Sequence, residues 1–292
     1  MERDGAAQPH FIGIDSDGCA LDTMESRHRH CFVPAFVSGF GLSGCAEAAS
    51  QAWLFVNLYS RHRGSNRYAA LLKTLELLRE HPALRNERVP SFPALAQWVD
   101  GARILSADTL AAATEATRLR GDTEAERELA TVLAWSRHVD TLCAEDPVPV
   151  SAFAGVAELL QTAAAQADTA VISSAPLATL IRQWRQTGLA RFVREICGQE
   201  GGRKADQLAE RARRAAYPPA RMLMLGDAPG DLRAAEAVGA WFFPIVPGKE
   251  PESWRLLADE GLPRFLGDRW TRAYQDELLV PFHRRLPDRP SW

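Results

Sequence analysis

Phe11-Ile12-Gly13-Ile14-Asp15-Ser16-Asp17-Gly18 places two carboxylates and a glycine directly behind a short apolar run. The run is too short for a helix and closes on a turn signal. It reads as a buried strand, Phe11 to Ile14, that breaks at Asp15 and Gly18. The same grammar recurs further along the chain. A strand ending at Ile172 leads to Ser173 and Ser174, and a strand over 192–197 leads through the glycine-rich turn 198–202 to Lys204. A strand over 221–225 leads to Asp227, with Asp231 four residues later, and a last strand covers 241–245. Helical patterns over 152–167, 177–187, 204–215 and 231–238 separate these runs. Helix and strand in alternation imply an α/β fold with a doubly wound, Rossmann-like parallel sheet, to which Phe11 to Ile14 also belongs.

Between the first strand and the rest lies a long Ala- and Leu-rich stretch, Asp22 to Glu145, whose apolar spacing is helical, as in Tyr68, Leu71, Leu72, Leu75 and Leu78. Helix starts are signalled at Ser91, Ser106 and Asp122. At Asp146-Pro-Val-Pro-Val two prolines make a stiff connector. The expected organisation is therefore an α/β core, residues 1–21 plus 148–292, carrying an inserted all-helical domain, residues 22–147. The stretch after Pro251, with Trp254, Leu257 and Trp270, reads as amphipathic helices packed on the core.

Bulk properties narrow the function classes. With 46 % hydrophobic and 24 % charged residues in a chain of 292, disorder is excluded and about two domains are expected. Lys plus Arg (34) nearly balances Asp plus Glu (37), so no global basic field points to nucleic acid, and an anionic partner has to be held locally. Five scattered cysteines without C-x-x-C spacing read as reduced, intracellular thiols. The polar N-terminus lacks the apolar stretch of a signal peptide, and no apolar run is long enough to span a bilayer. A cytoplasmic protein acting on no membrane is the expectation, with the oligomeric state open.

In open parallel sheets, ligands bind beyond the carboxyl ends of the strands. Asp15, Asp17, Ser173, Ser174, Lys204, Asp227 and Asp231 all arrive there. Gathered carboxylates repel, at a cost on the order of 4 kcal/mol per pair at about 4 Å and an effective dielectric near 20. Lys204 and a bound cation offset that, and an all-oxygen ligand set suits Mg²⁺. Such a cation also neutralises a phosphoryl group, and a carboxylate nucleophile splits its displacement into two easier steps.

These four segments resemble the four motifs of the haloacid dehalogenase superfamily, in its phosphatase type with a C1 helical cap. Asp15-Ser-Asp17-Gly18 is similar to motif one, Ser173 closing Ala-Val-Ile-Ser to motif two, Lys204 to motif three, and Gly226-Asp227-Ala-Pro-Gly-Asp231 to motif four. The resemblance covers about 9–21 and 151–247. It implies Asp15 as nucleophile and Mg²⁺ ligand. It implies Asp17 as general acid and then base, its backbone carbonyl also on the metal. Ser173 and Lys204 would hold phosphoryl oxygens, with the motif-two register open between Ser173 and Ser174. Asp227 would complete the metal site, and Asp231 would orient Lys204 or a metal-bound water. Asp17 argues against dehalogenases and phosphonate-cleaving members, where that aspartate is replaced. Cys19 stands where many members have Thr. The implied substrate is a small phosphorylated metabolite. A phosphosugar mutase would use the same residues, and a silent phosphometabolite-binding regulator would keep the fold without turnover. Taken singly, Asp15 and Asp227 are turn formers, Ser173 a helix N-cap and Lys204 a solvated charge.

Within the insertion, Asn57-Leu-Tyr59-Ser-Arg61-His62-Arg63-Gly64-Ser-Asn66-Arg67-Tyr68 sets three arginines around a glycine. Arg61, Arg63, Asn66 and Arg67 are candidates for a substrate loop, against the alternative of a solvated helix–helix turn. Gly39-Phe-Gly41-Leu-Ser-Gly44 fits G-x-G-x-x-G but follows a helix, so it is taken as a turn. His28 and His30, two apart on a helix, face different ways and suit packing over metal binding. Trp53, Trp98 and Trp135 are assigned to the core.

Overall fold

The computed structural model describes residues 8–84, 89–146 and 148–292. The signal-peptide reading of the first residues and Pro147 of the connector lie outside them. The chain forms two compact units. One comprises the chain up to Met24 with Val150–Pro287; the other comprises Glu25–Pro149 with Asp288–Trp292.

The first unit is built on five strands: β1 (Phe11–Ile14), β2 (Asp168–Ile172), β3 (Glu195–Cys197), β4 (Met222–Gly226) and β5 (Trp241–Pro244). Their order is β3-β2-β1-β4-β5, and every pairing is parallel, with Phe11 opposite both Asp168 and Met222. Side chains alternate across the sheet with period two. Ile12, Ile14, Val171, Leu223 and Leu225 join Trp184 and Trp254 in one cluster. Phe11, Ile172, Met222, Met224 and Phe242 join Leu208 and Phe282 in another. Both faces are thus covered by helices, as a parallel sheet requires. Gly13 sits where the second cluster is tightest: a Cβ there would meet Met224 Sδ at 3.0 Å and Leu208 Cδ2 at 3.1 Å.

Two elements are shorter than the sequence pattern suggests. The helix expected over 152–167 is Val156–Ala163, because Gly155 is left-handed (φ 87°) and starts it late. The strand expected over 192–197 is Glu195–Cys197; left-handed Gly188 turns the chain into a 3₁₀ turn, Leu189–Phe192, instead. The helix expected from Asp231 begins at Pro229, a residue pre-set for the first helical position. The C-terminal stretch is helical as expected, with Trp254, Leu257 and Trp270 in the core.

The described residues of the second unit form helices and connecting turns with no strand: Val33–Gly39, Ala46–Leu58, Arg67–Glu80, Pro93–Gly101, Ala107–Leu119 and the long Thr123–Glu145 are its main elements. Ser106 and Asp122 cap their helices with side-chain oxygens, whereas the start expected at Ser91 falls at Pro93. Trp53 and Trp135 meet edge to face, centroids 5.7 Å apart, in a core with Phe36, Phe40 and Tyr68. Gly39 ends its helix and Gly41 is left-handed (φ 68°), so the G-x-G-x-x-G match is a turn. Among the described residues no helix is long and apolar enough to cross a membrane.

Candidate active site

Strand order reverses at β1, with β2 on one side and β4 on the other, and the carboxyl ends of strands at such a switch point are where open parallel sheets bind ligands. Asp15 continues β1, its amide donating to Leu225 O at 2.9 Å. Asp227 follows β4, and Asp231 lies in the first turn of the helix Pro229–Ala237. Among the described residues, Asp15, Asp227 and Asp231 form a buried acidic group, each offering a carboxylate oxygen within 4.8 Å of the others. Lys204, opening the helix Lys204–Ala215, places Nζ 2.8 Å from Asp15 Oδ1 and 2.5 Å from Asp231 Oδ1. Asp231 approaches β4 so closely that a Cβ on Gly226 would run into its side chain.

One ammonium against three carboxylates leaves an excess of two negative charges. Burial pushes the Asp15 carboxyl up to about 7; Lys204 pulls it down and Asp227 adds to the rise. Burial likewise lifts Asp231 to about 6, against the pull of Lys204. Burial works against the charge of Lys204, but Asp15 and Asp231 outweigh it and hold the ammonium above its ordinary range. A strengthened lysine beside weakened acids looks contradictory. It follows from burial, which penalises each carboxylate, and then from the count: the lysine touches two anions, while the acids share one cation and repel each other. A hard divalent cation fits this set, because it supplies the missing charge and accepts oxygen donors only. Both oxygens of Asp231 are engaged, Oδ1 by Lys204 and Oδ2 by Ala228 N, so Asp15 and Asp227 are the side chains that could hold it.

Asp17 is half-buried and stands outside that acidic group; Thr23 Oγ1 donates to its Oδ1 at 2.5 Å. The turn after it needs Gly18, whose φ of 78° few side chains tolerate, and Gly18 N donates to Leu21 O at 2.8 Å. Two tryptophans pin this loop: Trp184 Nε1 donates to Ser16 Oγ and Trp254 Nε1 to Cys19 O, both at 2.9 Å. Thr23 and these tryptophans belong to no motif and were not singled out for the site from the sequence. Their only sequence signal is an indole or hydroxyl near the apolar pattern.

Ser173 follows β2, its amide donating to Cys197 O at 3.0 Å and its Oγ accepting from Ala175 N at 3.2 Å. It is buried, while Ser174 is exposed. Ser173 is therefore the serine held inside the strand-end architecture.

The arginine-rich segment lies in the helical unit, where each candidate has partners of its own. Arg61 pairs with Asp288, and Arg63 is buried with Nη1 donating to Leu58 O at 3.0 Å. Asn66 caps the helix Arg67–Glu80 and donates to Leu105 O at 2.9 Å. Arg67 reaches Asp140 Oδ1 at 2.8 Å and Ser136 O at 3.1 Å, and its guanidinium lies 5.4 Å from the Phe32 ring centroid. These contacts favour the structural reading of the segment. His28 is also spoken for, its Nδ1 accepting from Trp53 Nε1 at 3.0 Å.

The family model described as haloacid dehalogenase-like hydrolase matches residues 12–239. No curated protein matches the chain. Solved structures similar to it include a haloacid dehalogenase-like hydrolase from Bacteroides fragilis (13 % identity, TM-score 0.50, covering 84 % of this chain and 92 % of that one). A haloacid dehalogenase-like family hydrolase from Xanthomonas campestris is 18 % identical, with TM-score 0.47 and coverage of 92 % and 98 %. CbbY from Rhodobacter sphaeroides, solved in complex with phosphate, is 18 % identical, with TM-score 0.44 and coverage of 80 % and 84 %.

Proposed function

The chain belongs to the haloacid dehalogenase-like hydrolases, and on that premise we propose that it is a Mg²⁺-dependent phosphomonoesterase acting on a small phosphorylated metabolite. The observation that carries this reading is Asp15 Oδ1 held 2.8 Å from Lys204 Nζ, with Asp227 alongside in a pocket two negative charges in excess. An ionised Asp15 so placed is a nucleophile whose charge is compensated without being quenched by solvent.

In this reading an Asp15 carboxylate oxygen attacks phosphorus, and the bond from phosphorus to the ester oxygen breaks. Asp17 gives that oxygen its proton, so the leaving group departs as an alcohol. Asp17, now a carboxylate, takes a proton from water, and the water oxygen attacks the phosphoaspartate. The bond from phosphorus to Asp15 breaks and phosphate leaves. Ser173 Oγ and Lys204 Nζ bind the phosphoryl oxygens on which charge collects. Asp231 keeps Lys204 charged and aimed. Asp15, Asp227 and the backbone carbonyl of Asp17 would hold Mg²⁺, which supplies charge neutralisation to the carboxylates and the phosphoryl group alike. We read 1–21 plus 148–292 as the catalytic core and 22–147 as a cap that selects the metabolite. Free thiols at all five cysteines suit an intracellular setting.

The test is phosphate release by purified protein with Mg²⁺ across a panel of sugar phosphates, nucleotides and phosphoacids. Turnover should vanish on removing Mg²⁺ and in Asp15→Asn. No turnover on any member, or turnover that survives Asp15→Asn, would overturn the reading; an isomeric phosphate ester in place of free phosphate would make the enzyme a mutase.

A further inference from the structure

Gln207 lies one helical turn beyond Lys204 and is 1 % exposed. Its Nε2 faces three backbone carbonyls from three segments: Ser173 O at 3.3 Å, Gly198 O at 3.1 Å and Gly202 O at 2.9 Å. The first belongs to the serine that closes β2, the second to the residue after β3, and the third to the turn that delivers Lys204. A three-acceptor environment fixes which end of the amide is nitrogen. The same two loops are knitted from the other side. Gln199 N donates to Ala175 O at 2.9 Å, and the Glu200 carboxylate accepts from Leu177 N at 3.0 Å. Gly198 leaves no room for adjustment: a Cβ there would stand 2.6 Å from Leu177 N and 2.8 Å from Ala175 O.

We propose that Gln207 is a positioning residue that sets the spacing between Ser173 Oγ and Lys204 Nζ, and so the width of the phosphoryl-binding cradle. The proposal rests on the phosphatase reading for what occupies that cradle. Its physical basis is separate. Without the amide, the carbonyls of Ser173, Gly198 and Gly202 lose a donor at once, and the loops bearing Ser173 and Lys204 lose the side chain that bridges them from the helix side. The hydrogen bonds of this clamp end on backbone carbonyls, and Asp15 meets it through Lys204.

The experiment compares wild type with Gln207→Met, which keeps the volume and removes the amide, and with the shorter amide Gln207→Asn in case the first does not fold. Orthophosphate binding by calorimetry should weaken about tenfold in Gln207→Met, the effect of leaving buried polar groups unpaired. Misplaced phosphoryl ligands should also lower kcat about 10- to 100-fold, while the apparent affinity for Mg²⁺ stays at the wild-type value. Amide hydrogen exchange should quicken together over 173–177 and 198–203. Wild-type exchange in both loops, or a folded variant with wild-type phosphate affinity and only a lower Tm, would overturn the proposal. If wild type itself hydrolyses no phosphoester, the phosphatase reading falls, and the exchange comparison still decides whether Gln207 couples the two loops.

Discussion

Lys204 Nζ stands 2.5 Å from Asp231 Oδ1, and that carboxylate has no exposure to solvent. Its second oxygen accepts from Ala228 N at 3.1 Å, so the acid ties the lysine-bearing helix to the turn after β4. Asp231→Ala leaves a buried ammonium with one anion fewer. Lys204 keeps Asp15 as its partner, so the expected loss of stability is that of a buried hydrogen-bonding group, about 1–3 kcal/mol, as measured by denaturant unfolding without metal.

Gly226→Ala attacks the same contact from the strand side. Its Cβ meets the Asp231 side chain, which the helix cannot withdraw without moving Lys204. A loss of about 1–3 kcal/mol from overpacking is expected, together with a rise in KM for any phosphoester.

The metal-free protein should become less stable as pH rises. Asp15 and Asp231 hold their protons up to about 7 and about 6 in the folded chain, against 3.8 ordinarily. Between those limits the folded state binds more protons than the unfolded one, so stability falls with rising pH across about pH 4 to 7. Asp15→Asn should flatten the slope and raise the Tm at pH 8 without divalent cations. Mg²⁺ at about 100 times its dissociation constant should restore about 2.7 kcal/mol to wild type, and much less to Asp15→Asn.

The helical unit should respond to pH in the opposite sense. Burial, reinforced by Arg63, Arg27 and Arg67, lowers His28 from 6.5 to about 3. The unfolded chain takes up that proton first as pH falls, so stability is lost progressively from about pH 6.5 toward 3. His28→Gln should reduce the acid sensitivity of tryptophan fluorescence, since an amide oxygen can still accept from Trp53.

Arg63→Ala should act on stability. Its guanidinium is buried and donates to Leu58 O, so its loss should cost about 1–3 kcal/mol. Equal thermal shifts with and without substrate would agree with this. An intact Tm and a KM raised only for the physiological ester would restore the substrate-loop reading.

The sheet was legible because its signal is local. Phe11 to Ile14 is apolar on both faces, ends on a carboxylate, and repeats a grammar seen again before Ser173 and Asp227. Asp15, Lys204 and Asp227 converge because parallel strands share a carboxyl edge, which alternation alone dictates. Other features depend on partners distant in sequence. Three arginines around Gly64 name no partners in the sequence, and Asp288, Leu58, Ser136 and Asp140 stand beside them only in the fold. Gln207 carries no motif; its role is visible only once three carbonyls surround it. The late start of the helix Val156–Ala163 was written in Gly155, whose left-handed backbone a periodicity count passes over.

The pairing of Phe11 with Asp168 and Met222 has a consequence for biogenesis. The strand that carries Asp15 is made before either neighbour, Asp168 following Phe11 by more than 150 residues and Met222 by more than 200. At about 5–20 residues per second that wait is on the order of ten seconds or more. During it the helical insertion, whose contacts are local, can fold, while Phe11-Ile-Gly-Ile stays an unpaired apolar strand. The edge that carries Asp15 therefore assembles only after β2 and β4 arrive, and until then the nascent chain has to keep β1 from aggregating.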